Sequence, residues 1–267
     1  MQSLSSTPFI ADLHLTLRNR VAALVDPGVD PQVGVILVGE NPESVKFVSV
    51  KENRAREDGI ILSLYHLEEE TTTFEDLVQT IGFLATDDET HGIVLQLPLP
   101  EKFTPTQLDA LIQLIPSHKD VDALRIDEGK NQSPMVLAIT SLLDHYQIET
   151  VGKRVCVVGK GRLVGAPVAH YFTNLGLQVD AVDEETEKVL AITKEADILI
   201  TGTGVPDLIT HFWVKEGAVV IDCASDVHTD SVGQIASALS PAKGGIGPLT
   251  VYWLLNNVAS AAEASHE

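Results

Sequence analysis

RVCVVGKGRLVGAPVA, residues 154–169, is the stretch that decides how the chain is read. Its first five residues form a short aliphatic run, the pattern of a strand buried on both faces of a parallel sheet. Gly159, Gly161 and Gly165 follow at once, and Pro167 opens a stretch with helical spacing. A strand, a glycine turn and a helix in that order gather free backbone N–H groups and the positive end of a helix dipole at one point. Glycine lets the backbone turn there and approach a pyrophosphate closely. The third glycine falls one place later than in the generic G-x-G-x-x-G fingerprint, and a lone glycine turn is often only a turn.

The next strand pattern, residues 178–182, ends at Asp183. This carboxylate lies about 24 residues after Gly159, near where an acidic side chain accepts hydrogen bonds from the adenine-ribose diol of NAD. There it would repel the 2′-phosphate of NADP. Lys160 and Arg162 act the other way, since either can pair with that phosphate. The balance leans slightly to NAD over NADP. The bland alternative for Asp183 is a charged strand end facing water.

Aliphatic runs recur at 33–38 (VGVILV), 60–65, 92–97 (GIVLQL), 198–201 and 218–222. Helical spacing separates most of them, at 9–24, 44–58, 73–84, 134–146 and 167–175, and residues 249–262 also read as helix. Thr73 stands where a helix N-cap belongs, ahead of two acidic residues. Strands alternating with helices predict an α/β fold with mainly parallel sheets. The polar stretch 126–133 (IDEGKNQS) reads as a loop, and Gly152-Lys153 leads into a fresh strand. Two domains are therefore expected, with the second beginning near residue 147.

Length and composition bound the rest. The chain has 267 residues, 44% hydrophobic but only 5% aromatic, so its core rests on Val, Ile, Leu and Ala. A formal net charge of −20 repels phosphate backbones and anionic lipid, which argues against nucleic-acid or membrane-surface partners. Cys156 and Cys223 sit inside aliphatic runs as expected reduced thiols, and no metal-ligand spacing accompanies them. No window approaches a membrane span, and the first residues lack a signal-peptide pattern, so a cytoplasmic location is expected.

Three features of the first half carry possible chemistry. Ser44, Phe47 and Lys51 are spaced to share a helix face, and Arg54 continues it. A lysine that is partly buried or beside another cation has a lowered pKa and can move protons; the alternative is a solvated helix face. Gln96 ends an aliphatic strand at its carboxyl end, where α/β folds bind ligands, and two prolines then force an extended exit. Asp122, in KDVDA, reads either as an N-cap or as a ligand-binding carboxylate.

Taken in order, VGENPESVKFVSVK (38–51), GIVLQLPLP (92–100), HKDVDAL (118–124), GKRVCVVGKGRLVGAPVA (152–169), ADILITGTGVPDLI (196–209), VKEGAVVIDC (214–223) and GGIGPLT (244–250) resemble the bifunctional methylenetetrahydrofolate dehydrogenase/methenyltetrahydrofolate cyclohydrolase family. The resemblance covers nearly the whole chain. It implies a folate-binding catalytic domain at 1–146, rejoined by a C-terminal helix at 249–267, and a Rossmann-type NAD(P)-binding domain at 147–248, flanking a cleft. It implies oxidation of 5,10-methylenetetrahydrofolate with NAD or NADP, then hydrolysis of the methenyl product to 10-formyltetrahydrofolate. Lys51 is implied as the proton-handling residue, Gln96 as its hydrogen-bond partner and Asp122 as a pterin-binding carboxylate. Ser44, Phe47, Leu97, Pro98, Gly244, Gly245 and Pro248 are implied on the folate side. Gly159, Lys160, Gly161, Arg162, Val164, Gly165, Pro167 and Asp183 are implied to shape the cofactor loop, with Gly202 and Gly204 near the nicotinamide end. Family members are usually homodimers, and none of these roles involves a metal.

The chain also departs from the family pattern. Phe47 stands for the usual Tyr, Ala123 for Gly, Lys160-Gly161 for Arg-Ser and Lys243 for Pro, and the Thr of the Pro-x-Thr-Pro stretch is missing around Met135. These changes keep two further readings open. One is a dehydrogenase with weak or no cyclohydrolase activity. The other is a non-catalytic folate- or dinucleotide-binding homologue.

Overall fold

The computed structural model describes residues 1–25, 28–125 and 132–266, so most of the polar stretch 126–133 lies outside it. In chain order the elements are β1 (Gln2–Ser3), α1 (Ile10–Val25), β2 (Gln32–Val38), α2 (Pro42–Asp58), β3 (Ile61–Leu67), α3 (Phe74–Thr86), β4 (Gly92–Leu95) and α4 (Pro105–Leu114). Then come α5 (Pro134–His145), β5 (Arg154–Val158), α6 (Gly165–Asn174), β6 (Gln178–Val182), α7 (Val189–Thr193), β7 (Ile198–Thr201), β8 (Val219–Asp222), α8 (Thr229–Val232), β9 (Ala238–Leu239) and α9 (Ile246–His266). Two compact units form: Ala11–Pro134 with Val251–Glu267, and Met1–Ile10 with Met135–Thr250.

In the first unit β3, β2 and β4 pair as a parallel sheet in that order. α3 lays Leu77, Ile81 and Leu84 on it at helical spacing, and all three are buried. Each such side chain contributes about 1.5–3 kcal/mol relative to exposure. Gly34 of β2 admits this approach, because a Cβ there would lie 2.8 Å from the Leu84 methyls. Thr73 caps α3 in a reciprocal box with Asp76, as its position predicts. β4 ends at Leu95, two residues short of the expected strand. Gln96 N–H still donates to the Ile36 carbonyl, but Pro98 and Pro100 have no N–H to continue the ladder.

The second unit holds a six-stranded parallel sheet in the order β1-β9-β8-β7-β5-β6. From β5 the chain steps outward to β6, then returns to the other side of β5 for β7, β8 and β9. That reversal places the topological switch point between β5 and β7, the position where doubly wound sheets receive ligands at the carboxyl ends of their strands. Cys156, Val158, Leu199 and Val220 lie in the core beneath it. Burial pushes the Cys156 thiol up to about 12, so it stays protonated.

The units divide differently from a cut at residue 146. Met1–Ile10 and α5 group with the nucleotide-type sheet. β1 adds to its edge by pairing with β9, and the Tyr146 hydroxyl ties Ser5 by both its N–H and its carbonyl. A two-residue strand has no periodicity to read, so only tertiary pairing reveals it. α4 was also not anticipated, although Thr104-Pro105 followed by Gln107 is a capping-box signature and forms one. Among the described residues, no helix is long and apolar enough to cross a membrane.

Candidate active site

Two clusters of the implied residues assemble, each within one unit. The first is built on α2 and the end of β4. Asn41 caps α2 by accepting from the Glu43 and Ser44 N–H groups, and Gly59 ends it at φ 80°. This register turns Ser44, Val48, Lys51, Ala55 and Asp58 inward. A lysine therefore occupies a position that spacing would otherwise give to an aliphatic residue. Lys51 is only 7% exposed. Its Nζ donates to Gln96 Oε1 at 3.0 Å, and Gln96 Nε2 donates to the Leu97 carbonyl at 2.8 Å, which fixes the amide with its oxygen toward the amine. Burial holds the Lys51 pKa below its ordinary value, and the nearby Asp122 carboxylate opposes part of that shift.

Phe47 is not in the buried stripe with Ser44 and Lys51. It sits at its rim, 44% exposed, with its ring centroid 6.0 Å from Lys51 Nζ. The Ser44 hydroxyl is buried and has no hydrogen-bond partner. A buried hydroxyl in this state retains the capacity for a hydrogen bond.

The two readings of Asp122 separate in the structure. Among the described residues no helix starts at Asp122, and the bonds that close this turn go to its neighbour Asp120, fully buried, which accepts from the Leu124 and Arg125 N–H groups. Asp122 remains half-buried and electrostatically coupled to Lys51. Ala123 beside it has φ 51°, a left-handed conformation that costs an alanine energy and suits glycine.

The second cluster lies at the switch point of the six-stranded sheet. Gly159 follows β5 with φ 97°, and a Cβ there would meet the Gly202 carbonyl oxygen at 2.8 Å. A Cβ on Gly165 would stand 1.9 Å from the Gly159 oxygen, and one on Gly202 would stand 2.4 Å from Val164 Cγ1. The turn after β5 and the loop after β7 thus pack backbone on backbone. Gly161 and Gly204 face open space instead. No side chain caps α6; in its first turn the Ala166 N–H donates to the Gly161 carbonyl and Pro167 has no N–H, so the turn after β5 folds back tightly onto the helix start. These features fit a pyrophosphate cradle. Lys160 Nζ pairs with Asp183 at 2.9 Å, and Thr186 donates to the same carboxylate, which together hold it below the usual carboxylate range. Arg162 is half-buried in the same turn.

Gly244, Gly245 and Pro248 group with this second unit, at and just before the start of α9. Gly244 has φ 73°, and its carbonyl accepts three donors from the N-terminal segment: Ser6 N–H, Ser5 Oγ and Ser6 Oγ. A Cβ on Gly245 would lie 2.3 Å from the Pro241 oxygen. The serine strap gives no motif signal, because it acts from more than 200 positions away.

Two family models match the chain. The tetrahydrofolate dehydrogenase/cyclohydrolase catalytic domain matches residues 4–122, and the NAD(P)-binding domain of the same family matches residues 134–266. The chain belongs to this family. It is 34% identical over 274 residues to the bifunctional protein FolD of Macrococcus caseolyticus, covering 96% of each chain. Bifunctional FolD from Campylobacter jejuni superposes with a TM-score of 0.90 at 31% identity over 99% of both chains. The Trypanosoma brucei FolD, whose structure holds NADP and an inhibitor, gives a TM-score of 0.90 at 27% identity, over 99% of this chain and 98% of that one. As a FolD family member, the chain carries the Lys51 cluster in its catalytic domain and the glycine cradle in its NAD(P)-binding domain.

Among the described residues no group of His, Cys, Asp and Glu is arranged to hold a metal ion. Sequence reasoning missed Asp226. This fully buried carboxylate accepts from Thr201 Oγ1 and the Thr203 and Gly204 N–H groups. It stands in the loop after β8, in a stretch that matches no familiar motif.

Proposed function

We propose that Lys51, held by Gln96 and biased by Asp122, moves the proton of the cyclohydrolase step, while the loops around Gly159 and Gly202 seat the dinucleotide. The protein is a methylenetetrahydrofolate dehydrogenase/cyclohydrolase of one-carbon folate metabolism. The observation that carries the reading is the buried Lys51–Gln96 hydrogen bond. An amine with a lowered pKa can accept a proton near neutrality, and an amide oxygen accepts from it in both its charged and neutral forms.

In the first reaction a hydride leaves the methylene carbon of the folate, whose own nitrogens stabilise the resulting methenyl cation. The bound nicotinamide supplies the hydride acceptor. Little acid–base help is needed, so the protein acts chiefly by positioning. In the second reaction water adds to the methenyl carbon and the ring opens to the formyl product. Lys51 takes the water proton and returns one to the departing nitrogen. Ser44, with its unpartnered hydroxyl, and Phe47, Leu97 and Pro98 line the folate side of this cluster. Gly244, Gly245 and Pro248 are read as folate-side residues as well. The Phe47 ring can stack on a pterin, but it lacks the hydroxyl of the usual Tyr. The primary test supplies methylenetetrahydrofolate with NAD or NADP in parallel and follows absorbance of the reduced cofactor. Absence of reduction with both overturns the dehydrogenase assignment.

Cofactor choice turns on the Lys160–Asp183 pair. Asp183 can exchange its Lys160 contact for the ribose diol of NAD, whereas NADP must draw Lys160 away and bring phosphate beside a carboxylate. The chain therefore favours NAD modestly. Asp183→Asn should free Lys160 and move the ratio of kcat/KM values toward NADP by about tenfold, the effect of removing one nearby repulsion of about 1.4 kcal/mol. An unchanged ratio would show that this strand end lies outside the cofactor site.

A second copy of the chain is the expected partner. β3 is an edge strand of the three-stranded sheet, with Ile61 45% and Leu64 41% exposed, and Phe83 60% exposed in the same unit. An uncovered apolar edge of this kind is an association site. Sedimentation should show a dimer for the native chain and monomer for Leu64→Lys. A monomeric native chain would remove the assignment.

A further inference from the structure

The buried Asp226 has no part in the chemistry above, yet three hydrogen bonds converge on it. Oδ2 accepts from the Thr201 hydroxyl and from the Thr203 N–H at 2.7 Å, and Oδ1 accepts from the Gly204 N–H at 2.8 Å. These donors are the end of β7 and the loop that follows it. The carboxylate is reached through a second buried carboxylate. Asp222, at the end of β8, accepts from the Ala224, Asp226 and Val227 N–H groups. It thereby curls residues 222–227 into a tight turn, with Ser225 at φ 63°. The turn swings Asp226 beneath the neighbouring loop. The Ile209 N–H in turn donates to the Asp226 carbonyl, so the loop's far side is tied to the same turn.

A solvated β7 loop has no need of a buried charge. Placing one there is unfavourable unless it organises N–H groups that would otherwise point elsewhere. The loop that it organises packs directly on the glycine turn: a Cβ on Gly159 would strike the Gly202 oxygen, and one on Gly202 would strike Val164. Gly204 faces open space at φ 72°. We infer that Asp226 is a positioning residue for the dinucleotide: through Thr201, Thr203 and Gly204 it holds the β7 loop in the shape that receives the nicotinamide end. The inference rests on reading Gly202 and Gly204 as part of the cofactor loop.

The two acceptor atoms are not equivalent to an amide. In Asp226→Asn one oxygen becomes an NH2 group, which confronts at least one of the loop N–H donors. Thr201→Val removes one donor and leaves both backbone contacts. A graded series follows. Titration calorimetry with NAD and with NADP should give dissociation constants about twofold higher for Thr201→Val, about tenfold higher for Asp226→Asn and at least thirtyfold higher for Asp226→Ala. The dissociation constant of a folate analogue should stay within twofold for all three. Amide exchange of Thr203 and Gly204, measured on the full chain without cofactor, should speed up in the same order.

Faster exchange with unchanged cofactor affinity would make Asp226 purely structural and overturn the inference. Parallel loss of folate and cofactor binding would do the same, since it reports general unfolding. Should Asp226→Ala fail to fold, the Asn and Val variants still decide the ordering. Gly204→Val separates this inference from the reading beneath it. If Gly204→Val weakens cofactor binding and the Asp226 variants do not, only the role of Asp226 falls. If wild-type chain binds NAD(P) and neither substitution matters, the β7 loop is not at the cofactor and both fall.

Discussion

Lys51→Met should lower the cyclohydrolase rate by about 10²–10⁴-fold, the range that one positioned acid–base group contributes. The dehydrogenase rate should fall by less than about tenfold, because hydride loss relies on positioning rather than on proton transfer. Separate assays from methylene- and methenyltetrahydrofolate measure the two steps. Equal loss of both would show that Lys51 serves binding alone. In the native protein the cyclohydrolase rate should rise with pH along a limb centred below 10.5, since burial lowers the Lys51 pKa and the neutral amine is the acting base. That limb should be missing from the variant.

The same shift sets the sign of a stability effect. The unfolded chain holds the Lys51 proton with the ordinary pKa of 10.5, and the folded chain holds it less tightly. As pH falls through the folded-state pKa, protonation therefore favours unfolding, and as pH rises toward 10.5 the penalty disappears. Lys51→Met removes a buried amine while keeping the length of the side chain. It should leave the fold intact and raise thermal stability near neutrality. A variant that is destabilised at pH 7 would contradict the buried-amine account.

Gly165→Ala should abolish cofactor binding, with a rise in the dissociation constant of at least about a hundredfold. The reason is steric. The added methyl would sit 1.9 Å from the Gly159 carbonyl oxygen and 2.9 Å from Lys160 Cα, and both obstacles are backbone. No rotamer change relieves such a contact, so the turn between β5 and α6 must open. Overpacking of this kind costs about 3 kcal/mol, so a clear fall in Tm should accompany the loss of binding. Gly161→Ala is the matched control for stability: nothing lies within 4 Å of its Cβ position, and its φ is not in the left-handed region. Its Tm should stay within about 2 °C of the native value, as for a surface change of under about 0.5 kcal/mol. A Gly165→Ala protein that melts normally and binds NAD(P) normally would show that the turn is not built as described.

The aliphatic runs at 154–158 and 198–201 were legible because a strand buried on both faces needs only local composition. The observed β5 and β7 have those bounds. The α2 register was half legible. Spacing placed Ser44, Phe47 and Lys51 on one face, but packing buries Ser44 and Lys51 and leaves Phe47 exposed at the rim. Asp120 and Asp122 are chemically equivalent in a sequence. Only the return of the chain at Leu124 and Arg125 gives one of them the turn-closing bonds and leaves the other beside Lys51.

The glycine turn at 159–165 shows the same division most clearly. Sequence by itself determined an α/β chain, a strand–turn–helix unit capable of holding a dinucleotide, and the family to which the ordered motifs point. Those conclusions rest on short-range facts: period, turn chemistry and the order of segments. Tertiary structure alone decided why the glycines are required, since Gly159 and Gly165 are crowded by backbone and Gly161 is not. It also decided that Lys160 and Asp183 neutralise one another, that Gln96 meets Lys51, and that Asp226 grips the loop after β7. Each of these contacts joins groups more than 20 positions apart, brought together by strand order. Hydrogen bonds and steric contacts act over a few ångströms in space, and no local pattern records which distant segment will fill that space.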